Sequence, residues 1–305
     1  MDQQQPIFVS GQELGEWRNA AILDARAYDV PVTEVDWLLL SVSDLDSLQL
    51  RLELFKTRSQ VQLSIPLEAL TAGWKRRLQE RLPIQYVVGK TPWRRFNLYV
   101  SPAVLIPRPE TECLIDLVER VVRKYPELGT GNWVDMGTGS GAIALGIADL
   151  LPQAQVFAVD YSNSALAIAH KNAFQYGFAA KIKFIQGSWW QPLPFLQGQV
   201  SGMVANPPYI PTQLVPDLQP EVVQHEPHLA LDGGNDGLDD IRQLLREAPQ
   251  YLIPGGVWMI EMMAGQAETV ANLLAENGNY RDIQIHQDLA GIERFAIAFR
   301  KGSGE

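Results

Sequence analysis

"DMGTGSGAIAL", Asp135 to Leu145, decides the fold. An apolar run ends in an acid, passes three glycines in five residues, and resumes as small apolar residues at helical spacing. That is a strand, a tight turn and a helix start. Gly137, Gly139 and Gly141 permit positive φ and let a ligand touch the backbone, and the new helix offers N–H groups without partners of their own. The pattern is a nucleotide cradle. Gly137, Gly139 and Ala142 also satisfy the relaxed dinucleotide fingerprint, with Asp160 at about the distance expected of a ribose-binding acid, so this stretch alone leaves a nicotinamide dehydrogenase open.

Strands and helices alternate from about Trp133 onward. "NWVDMG", "QVFAVD", "KIKFIQG", "VSGMVA" and "GGVWMIEM" are strand candidates, and the helical stretches between them include one ending at Leu150, Ser164 to Tyr176 and one ending at Tyr251. A helix from Gln266 to Glu276 and the strands "DIQIHQ" and "RFAIAFR" follow. Such alternation predicts an α/β fold, a seven-stranded, mostly parallel, Rossmann-like sheet with helices on both faces. Only "DLAGIE" separates the last two strands, too little for a parallel crossover, so the final strand should run antiparallel. Up to about Pro83 the pattern is helical, with Leu14, Trp17, Ala21, Ile22, Ala25 and Tyr28 near a 3.6-residue period and no strand-like alternation. Thr33 is expected to cap a second helix, and Pro66 to open a third. Between Ile84 and Pro102, β-type residues around "GKTPWRRFN" predict a β-hairpin linker. The expected domains are therefore a helical bundle at 1–83, a linker at 84–104 and the α/β domain at 105–305.

The 305 residues are 46% hydrophobic and 20% charged, as in a soluble globular protein, and no apolar run approaches the length of a bilayer. The start, "MDQQQPIFVS", has neither a basic head nor an apolar signal segment, which points to a cytoplasmic protein. A single cysteine, Cys113, suits a reducing compartment and reads as a core residue. The net charge of -10 argues against broad nucleic-acid binding, and a monomer is expected. Charge is unevenly placed, however. Lys75, Arg76, Arg77, Arg81, Lys90, Arg94, Arg95 and Arg108 stand against one acid, Glu80, over that span. The cluster reads either as a solvated helix face followed by a hairpin or as a docking patch for an acidic or RNA-containing partner.

"VANPPYIP", Val204 to Pro211, is a strand that stops at Asn206, because Pro207 has no backbone donor for a ladder. The Asn206 amide then lies at the carboxyl edge of the sheet, where ligands of open α/β folds collect. Asp160 ends the second strand at the same edge and suits ribose hydroxyls. Trp189 and Trp190 follow the third strand, where one indole covers an adenine or both belong to the core. Suppose the ligand is S-adenosylmethionine and the acceptor a planar NH2 group, whose lone pair is delocalised. The Asn206 side-chain oxygen and the Pro207 carbonyl would hold its two hydrogens and aim the nitrogen at the methyl, with the prolines keeping that carbonyl extended and Tyr209 stacking on the flat acceptor. Catalysis would rest on positioning and on electrostatic support for a nitrogen gaining positive charge. "HEPH" lacks the helical HExxH spacing, and "DGGNDGLDD" has Gly234 where a calcium loop needs a ligand, so neither predicts a metal site. Arg108 would meet a cofactor carboxylate or pair with Glu110 or Glu112.

"QYVVGK", "VLIPRPETE", "DMGTGSGAIAL", "NPPYI", "EPHLALDGGNDGL" and "DLAGIERF" stand in the order seen in the protein-(glutamine-N5) methyltransferases that modify peptide-chain release factors, and from about Gln85 to Phe295 the chain resembles that family. "NPPY" alone is shared with enzymes that methylate exocyclic amines of DNA or RNA bases, the alternative activity. The resemblance implies S-adenosylmethionine as cofactor and, as acceptor, the glutamine amide of the Gly-Gly-Gln motif in class I release factors. It implies cofactor binding by Gly137, Thr138, Gly139, Ser140, Gly141, Asp160, Trp189 and Asn206, and a substrate clamp of Asn206, Pro207, Pro208 and Tyr209, of which Asn206, Pro207 and Tyr209 carry catalysis. The helical segment resembles that family's substrate-recognition domain. Ser188 stands where many members of the family have an aspartate facing the adenine, so base selection is expected to use other groups, and "PWRRFNL" departs from the family's usual linker.

Overall fold

The computed structural model describes residues 6–302. Residues 1–5, part of the stretch read for a signal segment, lie outside the described residues. The chain forms two compact units, one of residues up to Lys90 with Gln219–His225, the other of Thr91–Leu218 with the residues from Glu226 onward.

In the first unit the helices Gly11–Ala27, Thr33–Val42 and Leu67–Gln79 bury Leu14, Leu38, Leu39, Leu70 and Trp74 in one core. Thr33 is the first helical residue rather than the cap, a place taken by Val32. The unit is not wholly helical, since Ile7–Val9 pairs antiparallel with Val61–Leu63. Strands of three residues carry too little alternation to stand out from a helical background. Ile84–Val88 is one helical turn, set by Pro83 before it and by Gly89 after it at φ 73°. The hairpin proper pairs Lys90–Trp93 with Phe96–Tyr99.

The main sheet of the second unit has seven strands among the described residues: β1 (Asn132–Met136), β2 (Gln155–Asp160), β3 (Ile182–Gln186), β4 (Val200–Ala205), β5 (Leu252–Glu261), β6 (Tyr280–Gln287) and β7 (Glu293–Arg300). Their order is β3-β2-β1-β4-β5-β7-β6, with β7 antiparallel to both neighbours and the rest of the sheet parallel. Helices α1 (Glu112–Lys124), α2 (Ala142–Leu150) and α3 (Asn163–Gln175) cover one face, while α4 (Asp239–Glu247) and α5 (Ala267–Asn277) cover the other. Residues therefore alternate between two cores along β1, Trp133 facing one and Val134 and Met136 the other, and both sets are buried. This explains the near-continuous apolar runs in the sequence. Cys113 is partly buried against the α1 side of the core.

Register decides what emerges at the carboxyl edge. Met136 lies opposite Val159 on β2 and Ala205 on β4, and Ala205 lies opposite Ile260 on β5. The next residue along each strand, Gly137, Asp160, Asn206 and Glu261, thus occupies one shared row. The winding direction changes between β1 and β4, so this row crosses the topological switch point.

Two buried details hold that edge. A Cβ placed on Gly202 would lie 2.4 Å from the Trp133 ring, so β4 and the α1-side core approach each other only because residue 202 has no side chain. Asp135 is fully buried; its Oδ2 accepts from the Thr138 hydroxyl at 2.5 Å and from the Ala144 N–H at 2.9 Å, fastening the glycine turn to α2. Burial pushes its carboxyl up to about 7, against the lowering effect of those two hydrogen bonds. The folded chain therefore binds this proton more tightly than the unfolded chain. That contribution to stability is complete below the ordinary value of 3.8 and is lost as pH rises through about 7.

Gly202→Ala is expected to destabilise the second unit by about 1–3 kcal/mol through overpacking, read as a fall of several degrees in its thermal midpoint. Asp135→Asn should shrink the loss of thermal midpoint seen between about pH 5 and about pH 8, because the group whose titration drives that part of the loss is gone. An unchanged pH dependence would rule out Asp135 as its source.

Candidate active site

A cavity of about 320 Å³ opens at the switch point. Gly137, Gly139, Asp160, Ser162, Ser188, Trp189, Asn206, Pro208 and Asp240 are among the residues lining it. The first turn after β1 is built by short hydrogen bonds. The N–H groups of Gly137 and Thr138 both donate to the Val159 carbonyl at 2.9 Å, and Gly137, Gly139 and Gly141 have φ of 72°, 53° and 83°. Gly137 and Gly139 face the cavity, whereas Thr138, Ser140 and Gly141 stand behind it. Thr138 is tied to Asp135, the Ser140 carbonyl accepts from Asn172 Nδ2 at 2.8 Å, and a Cβ on Gly141 would meet Ala169 at 3.0 Å.

Asp160 supports this turn as well as lining the cavity. Its Oδ2 accepts from the Gly139 N–H at 2.8 Å and its Oδ1 from the Ser162 N–H at 2.9 Å. Burial raises its carboxyl, with the two N–H donors opposing. Each oxygen retains acceptor capacity toward the cavity.

The two tryptophans separate cleanly. Trp190 is buried and stacks on Tyr251, with ring centroids 4.4 Å apart, so it belongs to the core. Trp189 has φ 46° and lines the cavity, and its ring is the nearest group that a Cβ on Gly137 would meet, at 3.4 Å. Its Nε1 donates to Asp240 Oδ1 at 3.1 Å, and burial raises the Asp240 carboxyl. Asp240 is the second cavity carboxylate, on the Trp189 side.

Asn206 follows β4 directly. Its Nδ2 donates to Thr111 Oγ1 at 3.2 Å, the Thr111 hydroxyl donates to Glu261 Oε2 at 2.7 Å, and the Tyr209 hydroxyl donates to Glu261 Oε1 at 3.1 Å. Glu261 has no solvent exposure and Thr111 is 4% exposed. Burial pushes the Glu261 carboxyl up to about 7, while the hydrogen bonds from Thr111 and Tyr209 pull it down. Burial, reinforced by the Glu261 charge, also raises the Tyr209 phenol. Asn206 and Pro208 are among the residues lining the cavity, and Pro207 between them is buried.

The segment "DGGNDGLDD", Asp232 to Asp240, is a turn that leads into α4, and with Leu231 it also supports the proline stretch. The Ile210 N–H donates to the Leu231 carbonyl and the Gly233 N–H to the Ile210 carbonyl. Gln266 Nε2 donates to the Tyr209 carbonyl at 3.1 Å. A Cβ on Gly233 would lie 2.7 Å from the Pro208 carbonyl oxygen, and one on Gly237 2.2 Å from that of Tyr209. Both glycines are therefore required by close approach.

Arg108 pairs neither with Glu110 nor with Glu112. Its guanidinium lies 2.7 Å from Glu226, whose other oxygen accepts from the Ile106 N–H. The link joins the segments that carry two cavity walls, 103–105 and 227–230. The basic cluster is likewise compensated by acids remote in sequence. Arg77 meets Glu34 and Glu221, Arg81 meets Glu221, Arg94 meets Asp116 and Arg95 meets Asp149, so the local excess of charge is largely neutralised on folding. Thr111, Asp240 and Glu261 went unread in the sequence. For Glu261 a signal existed, an acid ending an apolar strand run as Asp160 does.

Residues 130–296 match the family described as "Methyltransferase domain". The chain is 52% identical to the release factor glutamine methyltransferase of Synechocystis sp., covering 95% of this chain and 97% of that protein. It is 42% identical to the protein of the same name from Gloeobacter violaceus, over 94% and 97% of the two chains. Among solved structures, the hMettl16 catalytic domain aligns with a TM-score of 0.54 at 14% identity over 87% of this chain and 90% of that one, a likeness of fold. Fold, cavity and close relatives converge: the chain belongs to the release factor glutamine methyltransferase family.

Proposed function

We propose that this chain transfers a methyl group from S-adenosylmethionine to the side-chain amide nitrogen of the glutamine in the Gly-Gly-Gln motif of class I peptide-chain release factors. The observation that carries the reading is the position of Asn206, an uncharged amide lining the cavity beside the glycine turn, with its NH2 already engaged by Thr111. The residues present fit the cofactor. Gly137 and Gly139 expose backbone to the cavity, Asp160 has acceptors left for the ribose hydroxyls, and Trp189 offers an aromatic face with the Asp240 carboxylate beside it. The cavity volume also falls at the small end of ligand sites, roughly 300–1,000 Å³.

When bound, S-adenosylmethionine supplies an electrophilic methyl carbon on a sulfonium centre. The protein's part is positional. The Asn206 Oδ1 and the Pro207 carbonyl accept the two hydrogens of the substrate amide and fix its plane, and the same two oxygens stabilise the nitrogen as it becomes positive. As the N–C bond forms the S–C bond breaks, leaving the neutral thioether, and the nitrogen then gives up one of its two protons to solvent. Asp240 takes the exocyclic amine of the adenine, a task that Ser188 cannot perform with a carboxylate of its own. The helical segment at 1–83 recognises the protein substrate, 84–104 links it to the catalytic domain at 105–305, and the enzyme works in the cytoplasm as a monomer.

Incubation with labelled cofactor and either a release factor or total RNA tests the reading. Label should enter the release factor, on a glutamine that gains one methyl group by mass spectrometry, and label confined to RNA would defeat it. Asn206→Ala should reduce transfer by about 10²-fold or more while cofactor affinity stays within a few-fold. Asp240→Asn should weaken S-adenosylhomocysteine binding by about tenfold and shrink the preference over its inosine counterpart. Equal losses for both bases would remove Asp240 from base selection.

A further inference from the structure

An asparagine amide has an acceptor end and a donor end, and only one of the two orientations lets Asn206 hold a substrate NH2. The direction is decided two groups away. Glu261 occupies the position beside Asn206 on the neighbouring strand, and its carboxylate, closed off from solvent, accepts from Tyr209 at one oxygen and from Thr111 at the other. Once ionised, as it is above about pH 7, that carboxylate has no proton to give. The single proton of the Thr111 hydroxyl is thereby committed to Glu261, at 2.7 Å, and the Thr111 oxygen can only accept from its other neighbour. That neighbour is the Asn206 amide at 3.2 Å, which must present NH2 to Thr111 and leave Oδ1 for the cavity.

We infer that Thr111 and Glu261 are positioning residues for methyl transfer: a buried acceptor sets the direction of the hydrogen-bond chain Glu261–Thr111–Asn206, and the chain's free end is the oxygen offered to the substrate amide. The inference rests on the clamp proposed above for Asn206. It assigns no contact with substrate to either residue. Its distinctive consequence concerns polarity. A glutamine at 261 keeps the shape, but with Tyr209 still donating to its oxygen, its NH2 donates to Thr111. The Thr111 proton then turns to Asn206 and holds the amide the wrong way round. A valine at 111 breaks the chain and leaves the amide free to turn.

The test measures single-turnover methyl transfer to a release factor alongside S-adenosylmethionine affinity in five proteins, at a pH of about 8.5 where Glu261 is ionised. Relative to wild type, Glu261→Gln should lose about 10²-fold in rate and Thr111→Val about tenfold, each with cofactor Kd within about threefold, since misaligned reacting groups are penalised on this scale. Thr111→Ser, which keeps the hydroxyl, should recover most of the rate. The double variant Glu261→Gln/Thr111→Val should be faster than Glu261→Gln alone, because removing the hydroxyl releases the reversed amide. Losses that multiply in the double variant, or a Glu261→Gln enzyme at the wild-type rate, would overturn the inference while leaving the methyltransferase reading intact. Failure of the wild-type enzyme to methylate the release factor would overturn that reading instead.

Discussion

Pro207 and Pro208 have no N–H to donate, and the arrangement of the catalytic edge follows from that constraint. A parallel strand flanked on both sides cannot continue through them, so β4 ends at Ala205 and the next side chain leaves the ladder. Because β4 sits at the switch point between β1 and β5, the residue released is neighbour to the glycine turn on one side and to Glu261 on the other. Pairing then resumes on the far side of the prolines, where Ile210 exchanges hydrogen bonds with Leu231 and Gly233. The carbonyls of Pro208 and Tyr209 are pressed against Gly233 and Gly237 so closely that a methyl group at either glycine would collide. The Asn206–Tyr209 segment is therefore rigid for two independent reasons, restricted φ within it and dense packing beneath it.

What was legible in the sequence is what depends on local order. The alternation of apolar strands with helices specified the sheet, the short "DLAGIE" connection specified the antiparallel last strand, and the glycine turn and the Asn206 edge were placed by residues within a few positions of them. Local order misled where elements were very short. Tyr86, Val87 and Val88 favour strands, yet Pro83 and Gly89 define a helical turn around them. What was not legible depends on pairs far apart in the chain. Arg108 and Glu226, Arg77 and Glu221, and Thr111 and Glu261 are each separated by more than a hundred residues, and no periodicity reports such a meeting. The basic run at 75–108 illustrates the hazard: charge density along the sequence is not charge density on the surface.

Two buried carboxyls, Asp135 and Glu261, are held by burial near 7, well above their ordinary range. By linkage each favours the folded state while protonated and loses that contribution as pH rises through about 7, so in the ionised form each opposes folding. A core selected for stability alone would carry apolar residues at such positions, and replacing buried charge in this way is often neutral or stabilising. Their retention is understandable if direction matters more than stability. Every hydroxyl and every amide can both give and take a hydrogen bond, so a network made only of these has two senses and no preference between them. Above about pH 7, where Asp135 and Glu261 are each ionised, a carboxylate can only take. Placed at the end of a strand, it fixes the sense of each hydroxyl that meets it: Thr138 toward Asp135 in the glycine turn, Thr111 and Tyr209 toward Glu261 beside Asn206. Both acids stand at or next to the carboxyl ends of parallel strands, where helix N-termini and free N–H groups gather. The same edge that attracts a ligand thus tolerates the charges that orient the groups meeting it.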